Sequence, residues 1–262
     1  ALHAVGTEAR NWRGEFTGAR ESGVAAMATL AAGSARWYAV AGEVALAAGR
    51  LSDYGEIERI VGELRRLETK EAVGAPHIIA SARAAQHLLG AGKYDLVDAL
   101  LERIEAIAPL AAPDDPAATA WISLARSLRT DPAASVEMAQ TAIAQFELAG
   151  DLRNACVVGS NLGDAFCQVG AFREAEAQLR SALASAERMG LVNVVAMSKA
   201  NLGYALAHQG KLDEAVRVEA EARDLMHAQG DLRREGFTRL YLAAFRWMTG
   251  AFDEAAREAE EA

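Results

Sequence analysis

Apolar residues recur along this chain at the three- and four-residue steps of amphipathic helices, and in its second half the pattern itself repeats. Val158, Leu162, Phe166 and Val169 stand four, four and three residues apart, a stripe along one helix. Gly170 offers that helix a C-terminal stop. A second stripe, Ala175, Leu179, Ala182 and Leu183, predicts a helix from about Phe172 to Met189. Forty residues on, Asn161-Leu162-Gly163 returns as Asn201-Leu202-Gly203, and Gly170 returns as Gly210 and Gly250. Phe172 returns as Leu212 and Phe252, and Glu174-Ala175 as Glu214-Ala215 and Glu254-Ala255. Gly150, Gly190 and Gly230 keep the same step at the other end of each unit. A fixed period of this size marks stacked supersecondary units.

Towards the N-terminus the pattern is weaker but legible. Residues 117–150 read as one unit, with Trp121, Leu124 and Leu128 on the first helix, Thr130 at the turn, and Asp131-Pro132 as cap and first residue of the second helix. Residues 76–116 form another, turning at Gly92, with Leu96, Leu100, Leu101 and Ile104 on the second helix. Residues 34–75 turn at Gly49 and place Gly42 at the close-packing position; residues 1–33 turn at Gly14. With 151–190, 191–230 and 231–262, the expectation is an all-α chain of about seven helix-turn-helix repeats wound into an α-α superhelix. Small residues at Gly163 and Ala175 let paired helices approach, with Leu162, Phe166 and Leu179 filling the space beside them. The prolines of 109–116 cannot continue a helix; that segment is either a longer connection or a hinge between two halves.

The motif NLGxxxxxxGxxxEAxxxxxxAL resembles the tetratricopeptide repeat, in a forty-residue form. The resemblance is strong over 151–230 and good over 231–262, where Ala243 replaces the glycine of the first helix. It implies antiparallel helix pairs with the first helix of each pair on the concave side. The Ala-, Arg- and Gly-rich repeats also resemble the arrays that follow bacterial nucleotide-switch ATPases or Ser/Thr kinases. The sequence lacks an initial Met and ends inside the second helix of a unit, so a piece of a longer protein is expected.

Composition narrows the function. The apolar content of 52% with only 6% aromatics suits closely packed helices. A net charge of −9 argues against nonspecific nucleic-acid binding and against an anionic membrane surface. No signal segment and no membrane-spanning run is legible, so a cytoplasmic location is expected. Cys156 and Cys167 lie eleven residues apart on one predicted helix, beyond disulfide reach, and read as buried thiols.

Catalytic machinery is not legible. Gly90-Ala91-Gly92-Lys93 lacks the upstream glycine, the Ser or Thr and the strand of a phosphate loop. The five histidines show no metal-ligand spacing, and neither cofactor nor metal is expected. Most Glu residues on second helices, Glu174, Glu176, Glu187, Glu254 and Glu258 among them, read as solvated faces beside arginines.

The informative polar residues are on first helices. Asn161, Asp164 and Gln168 fall at i, i+3 and i+7, within a stripe of about 60°. Asn201, Tyr204 and His208 repeat that geometry, Tyr241 follows, and Arg83 and Gln86 hold the places towards the N-terminus. In the family this chain resembles, the Asn before Leu-Gly faces the groove and holds the main chain of a bound peptide. A carboxamide suits that role because it both donates and accepts. The competing reading has Asn161 and Asn201 bridging neighbouring repeats. The expected function is therefore a non-catalytic interaction module for a protein or peptide partner. The alternative is a regulatory arm acting on its own parent chain. Phe245, Trp247 and Phe252 at the C-terminal end are expected to be exposed, where they could drive homodimerisation.

Overall fold

The computed structural model describes residues 2–67, 74–109 and 115–262. Among these residues fourteen helices form and no strand. They are α1 (Leu2–Arg13), α2 (Phe16–Met27), α3 (Ala35–Arg50), α4 (Tyr54–Arg66), α5 (Gly74–Gly90), α6 (Tyr94–Ile107) and α7 (Pro116–Ser127). There follow α8 (Pro132–Leu148), α9 (Leu152–Gln168), α10 (Phe172–Met189), α11 (Val192–His208), α12 (Leu212–Gln229), α13 (Leu232–Met248) and α14 (Phe252–Glu261). The chain divides into two units, residues 1–130 with 141–151, and residues 131–140 with 152–262. The segment read as a connection or hinge, 109–116, falls mostly outside the described residues.

Local chemistry sets the helix ends. Ser34 Oγ accepts from Trp37 N, and Asp53 Oδ1 accepts from Glu56 N. Asp115 Oδ1 accepts from Ala118 N ahead of Pro116, and Asp131 Oδ1 takes both Ala133 N and Ala134 N around Pro132. Each satisfies N–H groups that the first helical turn leaves open. Between α9 and α10 the chain turns at Gly170, φ +78°, and Ala171 N reaches back to Phe166 O at 2.9 Å. One turn differs from expectation. Between α3 and α4 the left-handed residue is Ser52, φ +56°, and Gly49 stays inside α3. The ring of His87 fills the place a Cβ on Gly49 would need, so this glycine serves close packing, not the turn.

The first unit builds its core from Trp37, Tyr38, Ile57, Ile60, Leu64, Leu88 and Leu100. Tyr38 stacks on His77 with ring centroids 4.5 Å apart, and Trp121 meets Phe146 edge-on at 5.6 Å. The second unit packs Leu179, Leu202, Leu206, Val218 and Phe245. Phe245 is thus core, against the expectation of an exposed end; Trp247 and Phe252 are exposed, 65% and 61%. Leu179 lies directly over Gly163, where any Cβ would overlap it.

Cys156 and Cys167 are buried free thiols. Glu176 sits on an outward face, where Lys211 and then Arg180 hold its carboxyl down at about 2. Glu258 departs from the solvated reading: it is buried and accepts from Arg223 and Arg239. Those partners lie 35 and 19 residues away, outside the reach of a helical-face argument. No helix of the described residues is long and apolar enough to cross a membrane.

Candidate binding site

The repeat places α9, α11 and α13 as successive first helices, with Asn161, Asn201 and Tyr241 in one register. In the second unit these helices enclose a cavity of about 420 Å³. Helix α9 contributes Asn161, Asp164, Cys167 and Gln168. Helix α11 supplies Met197, Ala200, Asn201 and Tyr204, and α12 adds Met226. The remaining wall is α13, with Arg233, Arg234, Phe237, Thr238 and Tyr241. Six of the residues singled out in the sequence therefore line one cavity: Asn161, Asp164, Gln168, Asn201, Tyr204 and Tyr241.

Their environments differ. Gln168 Nε2 donates to Asp164 Oδ2 at 2.8 Å, which fixes the acid on the wall of α9. Asp164 is open to solvent yet ringed by protein, and this desolvation raises its pKa against the opposing hydrogen bond from Gln168. Asn201 Nδ2 donates to Ser160 O at 3.3 Å, a bridge between neighbouring first helices. The Asn161 side chain, at the same register, makes no hydrogen bond with the described residues. Tyr204 and Tyr241 meet at 5.2 Å, and burial, then Tyr204 and Asp164, push the Tyr241 hydroxyl up.

The other three lie elsewhere. His208 is outside the lining and stacks on Phe172 at 4.5 Å, with Tyr204 at 4.4 Å on its other contact. Arg83 and Gln86 belong to the first unit. There Arg83 is buried at 8% exposure, ion-paired with Glu43, and its guanidinium lies 5.1 Å over the Trp121 ring. Glu43 also takes Asn11 Nδ2 at 2.7 Å, so the charges of Glu43 and Arg83 are engaged within that unit. A separate cavity of about 320 Å³ in that unit is lined by Leu30, Arg36, Val40 and Glu43 among others.

Sequence reasoning missed Arg233, Phe237 and Met197. Met197 and Phe237 share a register one turn before Asn201 and Tyr241, and Arg233 stands one further turn back. Extending the polar stripe by two turns would have reached them.

The cavity offers amides, one carboxylate, two guanidiniums, aromatic rings and thioethers. Burial, then the charge of Asp164, push the Cys167 thiol up to about 12, so it is not an activated nucleophile. Among the described residues no three His, Cys, Asp or Glu side chains converge as a metal site.

Paired helices repeating every forty residues define an α-helical repeat protein. The tetratricopeptide repeat family model matches residues 195–226, the body of α11 and most of α12. By fold the chain is similar to a Rap protein in complex with competence and sporulation factor, with a TM-score of 0.69 at 12% identity over 98% of this chain and 74% of that one. It is similar also to a signal transduction ATPase with a tetratricopeptide repeat sensor from Pyrococcus horikoshii, TM-score 0.61, 13% identity, covering 84% of this chain and 35% of that one. BtubC from P. vanneervenii gives 0.58 at 19% identity, over 80% and 88% of the two chains. No curated protein matches the sequence. Residues 195–226 carry a tetratricopeptide repeat, and the fold of the chain is of the tetratricopeptide-type helical repeat kind; at these identities the structural likeness is one of fold.

Proposed function

We propose that this chain is a protein-interaction module that holds a peptide segment of a partner in the cavity of its second unit. The observation that carries the reading is the unpartnered carboxamide of Asn161 on the wall of a cavity that the sequence pattern had already marked. A bound main chain would complete it, because a carboxamide pairs with a peptide unit in either sense. Asp164, Gln168, Asn201, Tyr204 and Tyr241 complete the contact surface, while His208 buttresses Tyr204. The module acts without catalysis and without a cofactor, in the cytoplasm, and its acidic balance of −9 disfavours nucleic acid and anionic membrane.

A regulatory arm serving its own parent chain is not favoured. The fold likeness to the ATPase with a repeat sensor, 0.61, does not exceed the 0.69 to the Rap protein in complex with competence and sporulation factor.

The test is retention of a synthetic random octapeptide pool by the immobilised protein. The wild type is expected to retain peptides, and the Asn161→Ala/Asn201→Ala variant to lose tenfold or more, since each lost amide pair is worth roughly 1 kcal/mol. Equal retention by a variant with unchanged circular dichroism would move the binding surface elsewhere.

A further inference from the structure

The cavity is electrically polar along its length. Asp164 is the single carboxylate among its lining residues, and Arg233 and Arg234 are its only cations. Asp164 and Arg233 have no ion pair among the described residues, whereas Arg234 is ion-paired with Asp231. Asp164 is bonded only to the Gln168 amide, and the Arg233 guanidinium lies 5.9 Å over Phe237. Arg234 approaches Asp231 only at 3.9 Å.

The forty-residue register converts this into a length. Asp164 corresponds to position 244 of α13, ten and eleven residues beyond Arg234 and Arg233. At the helical rise this separates the opposite charges by about 16 Å along the helix direction. An extended peptide covers that span in about five residues. Between the charged ends stand Asn161, Asn201 and Tyr241, at the height where a main chain would pass, while Tyr204 shares the height of Asp164.

We propose that the cavity selects extended peptide segments carrying one basic and one acidic side chain four or five residues apart. The basic group meets Asp164 and the acidic group meets Arg233 and Arg234. This rests on the groove reading above and adds a charge pair at a fixed spacing to it. Guanidinium groups favour a carboxylate through two parallel N–H donors, whereas the ionised Asp164 can only accept, so a ligand with two like charges at that spacing would meet repulsion at one end.

The experiment sequences what the protein retains from random octapeptides with acetylated and amidated ends, so that only side-chain charges are read. The expected result is enrichment of Lys or Arg at one position and of Asp or Glu four or five places away. In Asp164→Asn the basic preference should fall by about tenfold with the acidic one intact; Arg233→Gln/Arg234→Gln should do the converse. Asp164→Lys should replace the basic preference by an acidic one. Retained peptides with no charge preference, or with like charges at that spacing, would overturn the inference while leaving the groove reading standing if Asn161→Ala/Asn201→Ala still abolishes retention. No retention from any pool would overturn both.

Discussion

Leu179 and Glu219 occupy the same place in successive repeats, and each lies over the glycine of its own helix pair: Leu179 over Gly163, Glu219 over Gly203. The leucine completes an apolar contact. The glutamate is fully buried there, and neither carboxyl oxygen has a hydrogen-bond partner among the described residues. Burial drives its pKa well above the ordinary carboxylate value, so the fold holds it as the acid.

Glu219→Leu, which copies the preceding repeat, is therefore expected to stabilise the protein. Removing a buried unsatisfied polar group is worth about 1–3 kcal/mol. The sign with pH follows from linkage. Above the unfolded-state value of 4.5 the unfolded chain releases this proton while the folded chain keeps it, so the wild type loses stability as pH rises towards the folded pKa. Thermal unfolding of both proteins from pH 5 to 8 should show the gap widening with pH. Parallel profiles would mean that Glu219 is not carried as a buried acid.

The two kinds of glycine should fail differently. Gly163→Ala drives a methyl into Leu179, an overpacking cost of about 1–3 kcal/mol. Gly170→Ala has open space around it but forces an L-residue to φ +78°, costing roughly 1 kcal/mol. In urea unfolding, a second change Leu179→Ala should offset part of the first loss, because the branch it removes is the one the methyl strikes. It should not soften the loss at Gly170. Equal coupling in both pairs would contradict the packing described.

Much of the fold was legible because it is periodic. The steps from Gly170 to Gly250 and from Asn161 to Asn201 report one helix pair stacked repeatedly, and α10 falls on Phe172–Met189 as the apolar stripe predicts. What escaped depends on side chains far apart in sequence. Gly49 reads as a stop until the His87 ring is seen to need its missing Cβ. Arg83 reads as a groove residue until Glu43, one period earlier on the neighbouring first helix, is seen to take its charge. Opposite charges forty residues apart are a usable sign of such a cross-repeat pair. Arg233 was overlooked because the polar stripe of α13 was followed from Tyr241 forwards only.

Asn161 and Asn201 separate the two readings that the sequence left open. Asn201 bridges to Ser160 O, so Asn201→Ala should cost about 1 kcal/mol of stability by losing a hydrogen bond between neighbouring first helices. Asn161 has no such bond, and Asn161→Ala should leave the urea midpoint unchanged while weakening peptide retention. A stability loss at Asn161 equal to that at Asn201 would give both residues the bridging role and remove the main-chain contact from α9.

His77 should make the first unit sensitive to mild acid. It is fully buried, stacked on Tyr38 and receives a hydrogen bond from Arg103 Nε at 3.1 Å. Burial and then the Arg103 charge lower its pKa from 6.5 to about 4. Below pH 6.5 the unfolded chain takes up a proton that the folded chain refuses until about pH 4, so stability is lost as pH falls through that window. The loss can reach about 3 kcal/mol at the bottom of the window. His77→Phe keeps a ring on Tyr38 but cannot titrate. It also leaves Arg103 without its ring acceptor, although Arg103 still donates to Leu67 O. The variant should therefore be less stable than the wild type at pH 7, yet change less between pH 6.5 and 4.5. Denaturant unfolding across that range reads both effects, and a variant as acid-sensitive as the wild type would assign the acid response to other groups.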